Sequence, residues 1–413
     1  MGTLVEEIFS RKLGKKVKAG EIVLADVDYA ISHDTTTPLA IKAWEDIGKP
    51  LFNKDMIVIV FDHYYPSPNI DGANTQKDIR GFVKKHNIKS WLFNGVCHQL
   101  MVEKGFALPG NIVVGGDSHT CTYGALGCFS TGMGSTDIGV VWATGKNWFR
   151  VPETININVN GKFKEGVYAK DLILKIINII GADGATYKSL EFTGETIENM
   201  EIHERLTLSN MAIEAGAKCG LIKTDKKTKE FFKKMGVNEI EDIAPDKPNY
   251  EKTVTIDVST LDPQIAYPNR VDNVKDIKEF EGLELDEVFI GTCTNGRYED
   301  LEIAANILKG KKVNKYCRVI ILPASAEIYK KALENGLVKI FLDAGATVGI
   351  PGCGACVGRH QGVLGDGERA LTTMNRNFTG RMGSPKSEIY LASPATCAVS
   401  AIHGKITDPG EAL

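Results

Sequence analysis

The sequence predicts an α/β protein, and three observations carry that expectation. A short apolar strand, a polar or glycine-rich turn and a helical stretch follow one another several times along the chain. The turns hold the reactive side chains, with histidines, aspartates and cysteines standing directly after the apolar runs. The length of 413 residues is enough for about two to three domains, each with its own core.

Taken in order, Met56-Ile-Val-Ile-Val-Phe61 runs into Asp62-His63, Ser90-Trp-Leu-Phe93 into Cys97-His98, and Asn111-Ile-Val-Val114 into Asp117-Ser-His119. Further on, Glu287-Val-Phe-Ile290 runs into Cys293 and Ala346-Thr-Val-Gly-Ile350 into Cys353. All five place chemistry at the carboxyl end of a strand, where open α/β sheets bind their ligands. The periodic stretch Leu301-Glu-Ile-Ala-Ala-Asn-Ile-Leu308, closed by Gly310, predicts a helix, and a second is expected from about Ser325 to about Gly336. The segment from Ser259 to Val271 gains prolines and loses periodicity, so it reads as a linker. A weaker boundary falls at Val151-Pro152, where a glycine-rich stretch gives way to the alternating Ile155-Asn-Ile-Asn-Val-Asn. The domains expected from these breaks are 1–152, 153–270 and 271–413.

Composition excludes several classes. With 43% hydrophobic residues, 24% charged and a net charge of -3, the chain has no long-range field to attract a polyanion, and nucleic acid is not expected as a partner. Its longest clean apolar run, Met56 to Phe61, is far too short to span a bilayer. The first residues lack a basic stretch followed by an apolar one, so the cytoplasm is the expected location. Nine cysteines without framework spacing argue against a secreted disulfide protein and for reduced thiols or metal ligands.

Among those cysteines, Pro351-Gly-Cys353-Gly-Ala-Cys356-Val-Gly358 brings two thiols within reach of one centre. Alone, this pair has several readings: a redox dithiol, which would want no distant third partner, a structural zinc site, which lacks a second Cys-x-x-Cys, or a buried structural pair. Gly291-Thr-Cys293-Thr-Asn-Gly-Arg297 adds a third, exposed cysteine after a neighbouring strand. Three ligands suit a four-iron cubane and leave one iron free to act as a Lewis acid, whereas electron carriers tend to use all four corners. The other six, Cys97, Cys121, Cys128, Cys219, Cys317 and Cys397, read as packing residues.

Asp62-His63, His98 and Asp117-Ser-His119 pair carboxylates with imidazoles, an arrangement that fixes a tautomer and raises a histidine pKa, as a proton donor needs; helix capping explains any one of them as well. Asn375-Arg376-Asn-Phe-Thr-Gly-Arg381 offers two guanidinium groups and two amides in a short loop, a natural clamp for carboxylates or else a solvated basic turn. The glycines of Gly132-Met-Gly134-Ser-Thr-Asp137 lack the third member of a dinucleotide fingerprint, and close packing of strand and helix accounts for them.

Taken together, Asp62-His63, Gly116-Asp-Ser-His-Thr120, Gly291-Thr-Cys-Thr-Asn295, Gly352-Cys-Gly-Ala-Cys356 and Asn375-Arg-Asn-Phe-Thr-Gly-Arg381 resemble the aconitase superfamily, in family order and over most of the chain. The resemblance implies three α/β/α domains around a central cleft that holds one [4Fe-4S] cluster on Cys293, Cys353 and Cys356. It implies active-site roles for Asp62, His63, His98, Asp117, His119, Asn375, Arg376 and Arg381. Asn210 and Glu214, in Leu208-Ser-Asn-Met-Ala-Ile-Glu214, match less sharply, the glutamate being expected to contact the iron-bound hydroxyl or water. Full-length aconitases continue into a fourth, swivelling domain with a serine base and substrate-binding arginines, whereas this sequence ends at Leu413. The expectation is therefore the large subunit of a split hydro-lyase whose small subunit carries that domain. Its substrate would be a small hydroxy di- or tricarboxylic acid, isomerised by dehydration and rehydration. Isopropylmalate, in leucine biosynthesis, is the leading substrate, ahead of the homoaconitase substrates and methylated malates or maleates. A cluster-sensing RNA-binding regulator, also known in the superfamily, is disfavoured by the mild acidity.

Overall fold

The computed structural model describes residues 2–411 and holds three mainly parallel sheets with helices packed on their faces. The first sheet orders its five parallel strands as Ser90–Phe93, Ile57–Phe61, Tyr29–His33, Ile112–Gly115 and Phe129–Gly132. Its interior strand Ile57–Phe61, Ile-Val-Ile-Val-Phe, is buried on both sides, which is why it reads as an unbroken apolar run rather than an alternating one. The second sheet orders Cys219–Leu221, Ser189–Thr193, Thr154–Asn160 and Lys252–Asp257, again all parallel. In the third, Val274–Asp276, Gln264–Ala266, Glu388–Leu391, Arg369–Thr372, Glu287–Gly291, Arg318–Leu322 and Thr347–Val348 lie side by side, with antiparallel pairing confined to the Gln264–Ala266 strand and its two neighbours.

All five sequence-predicted strands are present, as are the helices Tyr298–Leu308, with Gly310 at φ 74°, and Ala326–Glu334, capped by the Ser325 side chain. The expected linker is corrected in part. Gln264–Ala266 lies inside it and is hydrogen-bonded into the third sheet, with the Gln264 N–H donating to the buried Asp171 carboxylate. Two prolines in the segment hid a three-residue strand from any periodicity argument. The glycines after the Phe129–Gly132 strand do serve close packing: a Cβ at Gly139 would meet the Ala40 carbonyl of the helix Thr37–Ile47 at 2.7 Å.

Two topological reversals place the site. In the first sheet the chain steps outward from Tyr29–His33 to one edge, then returns to Ile112–Gly115 on its other side; in the third it does the same between Glu287–Gly291 and Arg369–Thr372. Crevices form beyond the carboxyl ends of strands at such switch points. The ends there carry His33-Asp34 and Gly116-Asp117 in one sheet, and Cys293 and Asn375 in the other. Among the described residues no helix is long and apolar enough to cross a membrane.

Candidate iron–sulfur active site

The thirteen residues singled out from the sequence meet in one cleft. Cys293, Cys353 and Cys356 are all buried there, so the expected exposure of Cys293 is corrected. It sits at the start of the short helix Thr292–Asn295, roofed by the amides of Asn210 and Asn375, whose Nδ2 groups donate to its sulfur at 3.3 and 3.5 Å. Cys353 Sγ lies 3.7 Å from both Asp62 Oδ2 and His63 Nδ1, and Cys356 Sγ lies 3.9 Å from both Asn375 Oδ1 and Arg381 Nη2. The backbone bends tightly to achieve this: Gly354 and Gly358 adopt φ of 52° and 63°, and Thr292, β-branched, is held at φ 74° immediately before Cys293. A non-glycine residue in that region costs on the order of 1–3 kcal/mol, strain that recurs at functional sites.

Burial pushes the Cys293 thiol up to about 12, helped by the neighbouring Cys356, and holds Cys353 well above the ordinary thiol range. Burial thus favours the neutral thiols of Cys293 and Cys353, and deprotonation must accompany metal binding.

Facing the sulfurs is a chain of paired histidines and carboxylates. His63 Nδ1 donates to Asp62 Oδ1 at 2.7 Å, while Asp62 Oδ2 accepts from the Cys97 N–H at 2.7 Å. Burial opposes a charge on His63, but Asp62, then Asp117 and Asp34, raise it to about 9. Burial likewise opposes the Asp62 carboxylate, and the His63 imidazole overcomes it, holding Asp62 well below the usual range. Asp117 caps the turn that follows its strand by accepting from the His119 N–H at 2.7 Å, and its carboxylate also receives His98 Nε2 at 2.8 Å. Burial lowers the His98 pKa against the pull of Asp117. His119 Nε2 pairs with Glu214 Oε1 at 2.8 Å, and the same oxygen accepts from Arg376 Nε at 2.8 Å. Against burial, Arg376 and His119 keep Glu214 below its ordinary value. Glu214 and Asn210 reach the cleft from the second sheet's Ile202–Met211 helix and the turn after it, which packs along Ser118–Leu126.

Four residues beyond those singled out complete the site. His33 stacks on His63 and places Nε2 3.4 Å from Asp117 Oδ2; Asp34 accepts from the His63 and Tyr64 N–H groups at 3.1 and 2.8 Å. Their signal was the same strand-then-chemistry pattern, His33-Asp34 after Tyr29-Ala-Ile-Ser, in a strand too short and mixed to stand out. Tyr123, fully buried, orients His98 through its hydroxyl at 3.1 Å from Nδ1. Lys170, also fully buried, donates to the carbonyls of Thr373 and Met374 at 2.8 and 2.7 Å, just ahead of Asn375. Nothing in local sequence announces the last two, because their partners lie far along the chain.

A sequence model of the aconitase family (aconitate hydratase) matches residues 6–404. The chain belongs to the aconitase family. The 3-isopropylmalate dehydratase large subunit 1 of Thermotoga maritima is 52% identical over 412 residues, 98% of each chain. The protein of the same name from Methanopyrus kandleri is 49% identical over 411 residues, again 98% of each, and the 3-isopropylmalate dehydratase large subunit of Elusimicrobium minutum 52% identical over 415 residues, covering 100% of this chain and 99% of that one. Among solved structures, aconitase X of Thermococcus kodakaraensis in its holo form covers 91% of this chain, and 89% of its own, at a TM-score of 0.51 and 12% identity, a likeness of fold.

Membership in the aconitase family implies an iron–sulfur cluster, and the residues present fit one. Among the described residues no three cysteine sulfurs converge to within 4.8 Å of one another, as ligands of a single ion would. Three buried thiols, with amide donors on the Cys293 sulfur, match a larger inorganic core. Arg381, whose Nη2 lies 3.9 Å from Cys356 Sγ, has its Nε buried without a partner.

Proposed function

We propose that this chain is the large subunit of a 3-isopropylmalate dehydratase, interconverting 2- and 3-isopropylmalate by dehydration and rehydration in leucine biosynthesis. The observation that carries the chemistry is the meeting of Cys293, Cys353 and Cys356 with the Asp62–His63 pair and the Glu214–Arg376 pair in one cleft. The substrate is supported by relatives of that name about half identical over their whole length.

The cofactor in this reading is one [4Fe-4S] cluster, which Cys293, Cys353 and Cys356 would hold and which would supply Lewis-acid chemistry toward the departing hydroxyl. His63, fixed by Asp62, donates a proton to the leaving hydroxyl oxygen, so that water departs. Arg376 and Arg381 hold the substrate carboxylates, Arg376 being pre-aligned by Glu214. Asn210 and Asn375 donate to sulfur and keep Cys293 oriented. His119 and His98, tied to Glu214 and Asp117, line the cleft where water must re-enter. The carbon-bound proton leaves to a serine base on a small subunit that carries the swivelling domain. The same groups acting in reverse add water across the alkene at the neighbouring carbon. The relatives' designation as large subunits supports such a partner.

The test is anaerobic cluster reconstitution of the chain with the small subunit encoded in the same genome, followed by turnover assays on 3-isopropylmalate, homoaconitate and citraconate. Preferred turnover of 3-isopropylmalate is expected. Preference for either of the others would move the chain to a sister activity.

A further inference from the structure

The antiparallel ribbon formed by Ile22–Asp26 and Lys146–Arg150 has one face sunk in the first core and one turned outward. On the inner face Phe149 packs against Phe9 and Phe129, with ring centroids 5.3 and 5.9 Å away. The outer face is only half polar: Asp26, Lys146 and Arg150 share it with three apolar side chains, where a ribbon bathed in water would normally be polar throughout. It presents Ile22, Leu24 and Trp148, which are 74%, 62% and 60% exposed. They form one patch, because Leu24 is the register partner of Trp148 and Ile22 that of Arg150. Contiguous apolar surface with a charged rim marks an interaction site, and Trp and Arg are the residues that most often anchor one.

The patch also leads somewhere. A groove of about 440 Å³ is lined by Trp148 and Arg150 together with Tyr187, Lys218, Ser118 and Ile213. Ser118 and Ile213 in turn line the hollow of about 520 Å³ that holds Glu214 and Arg376 at the mouth of the candidate site. Along the groove, Arg150, itself paired with Glu153 at 2.6 Å, and Lys218 flank the Tyr187 ring at 5.9 and 4.7 Å. The groove beside the apolar patch therefore adjoins the hollow of Glu214 and Arg376 through Ser118 and Ile213, which line both.

We propose that the ribbon face of Ile22, Leu24 and Trp148 is the docking surface for the small subunit, which reaches the site mouth along the groove past Ser118 and Ile213. This rests on the two-subunit reading given above. The partner's complementary surface is an apolar patch bordered by an acidic side chain that meets Lys218.

The experiment measures, by sedimentation and by calorimetric titration, the affinity of the reconstituted chain for the small subunit encoded in the same genome. Wild type is compared with Trp148→Ala, Leu24→Asp and, as a remote exposed control, Tyr316→Ser. Trp148→Ala and Leu24→Asp are each expected to weaken association by at least about tenfold. Their cluster absorbance and unfolding temperature as isolated chains should remain those of wild type, and Tyr316→Ser should bind normally. Wild-type affinity in both ribbon variants would overturn the proposal, as would loss of self-association in Leu24→Asp with small-subunit binding intact, which would assign the patch to a second copy of this chain. If the wild-type chain itself fails to bind the small subunit, the two-subunit reading falls first and the docking surface with it.

Discussion

The imidazole rings of His33 and His63 lie face to face, 3.9 Å between centroids and 11° between planes. His63 is thus held on one side by Asp62 and across its face by a ring from the neighbouring strand. We predict that His33→Ala, which removes that wall, lowers kcat by up to about a hundredfold, the loss that misplacing a reacting group by roughly 1 Å brings. His33→Phe, which restores a stacking face, should recover part of it. Steady-state kinetics of the two-subunit enzyme at matched cluster content decide this; equal rates for the Ala and Phe variants would show that stacking is irrelevant.

The Asp62–His63 pair sets a pH limit. His63 is raised to about 9 and so keeps its proton at neutral pH, losing it as pH rises through about 9. A rate that needs that proton should fall on the alkaline side with this midpoint. In Asp62→Asn the strongest support for the charge is gone, and the alkaline limb should move down in pH, toward the ordinary histidine value of about 6.5. The pH profile of kcat is the measurement, and an unmoved limb would remove His63 as the acid.

Lys170 is predicted to be a strut of the arginine loop. Lys170→Met leaves the Thr373 and Met374 carbonyls buried and unpaired, which should destabilise the chain by on the order of 2–3 kcal/mol. Burial lowers Lys170 to about 8 from 10.5. Between those values the unfolded chain binds the proton and the folded chain does not, so stability gains an upward slope with pH there. Urea titrations at several pH values should find both the loss and the missing slope in the variant.

Thr292 carries local strain at φ 74°. Thr292→Gly relieves it, and the isolated chain should unfold at higher urea, by roughly 1 kcal/mol. The same change frees the backbone next to Cys293, so the reconstituted cluster should be lost faster under oxygen. Bleaching of the cluster absorbance at the wild-type rate would contradict that link between strain and ligand placement.

Much of this is legible in the sequence. Strands such as Ile57–Phe61 and Glu287–Gly291 are buried on both faces, so unbroken apolar runs betray them, and the turns after them carry Asp62-His63 and Cys293. What stayed hidden depended on distance in sequence. Gln264–Ala266 is a strand only because Val274–Asp276 and Leu391 pair with it. Lys170 matters only through carbonyls some two hundred residues away. The burial of Cys293 comes from Asn210 and Asn375, each contributed by a separate part of the fold.

The central claim is that three cysteines hold a catalytic cluster in this cleft. Iron and sulfide content, visible absorbance and 3-isopropylmalate turnover, measured together on Cys353→Ser reconstituted with the small subunit, test it most directly. The account predicts a depleted or altered cluster and turnover at least about a hundredfold below wild type. Full turnover with an intact cluster would contradict it.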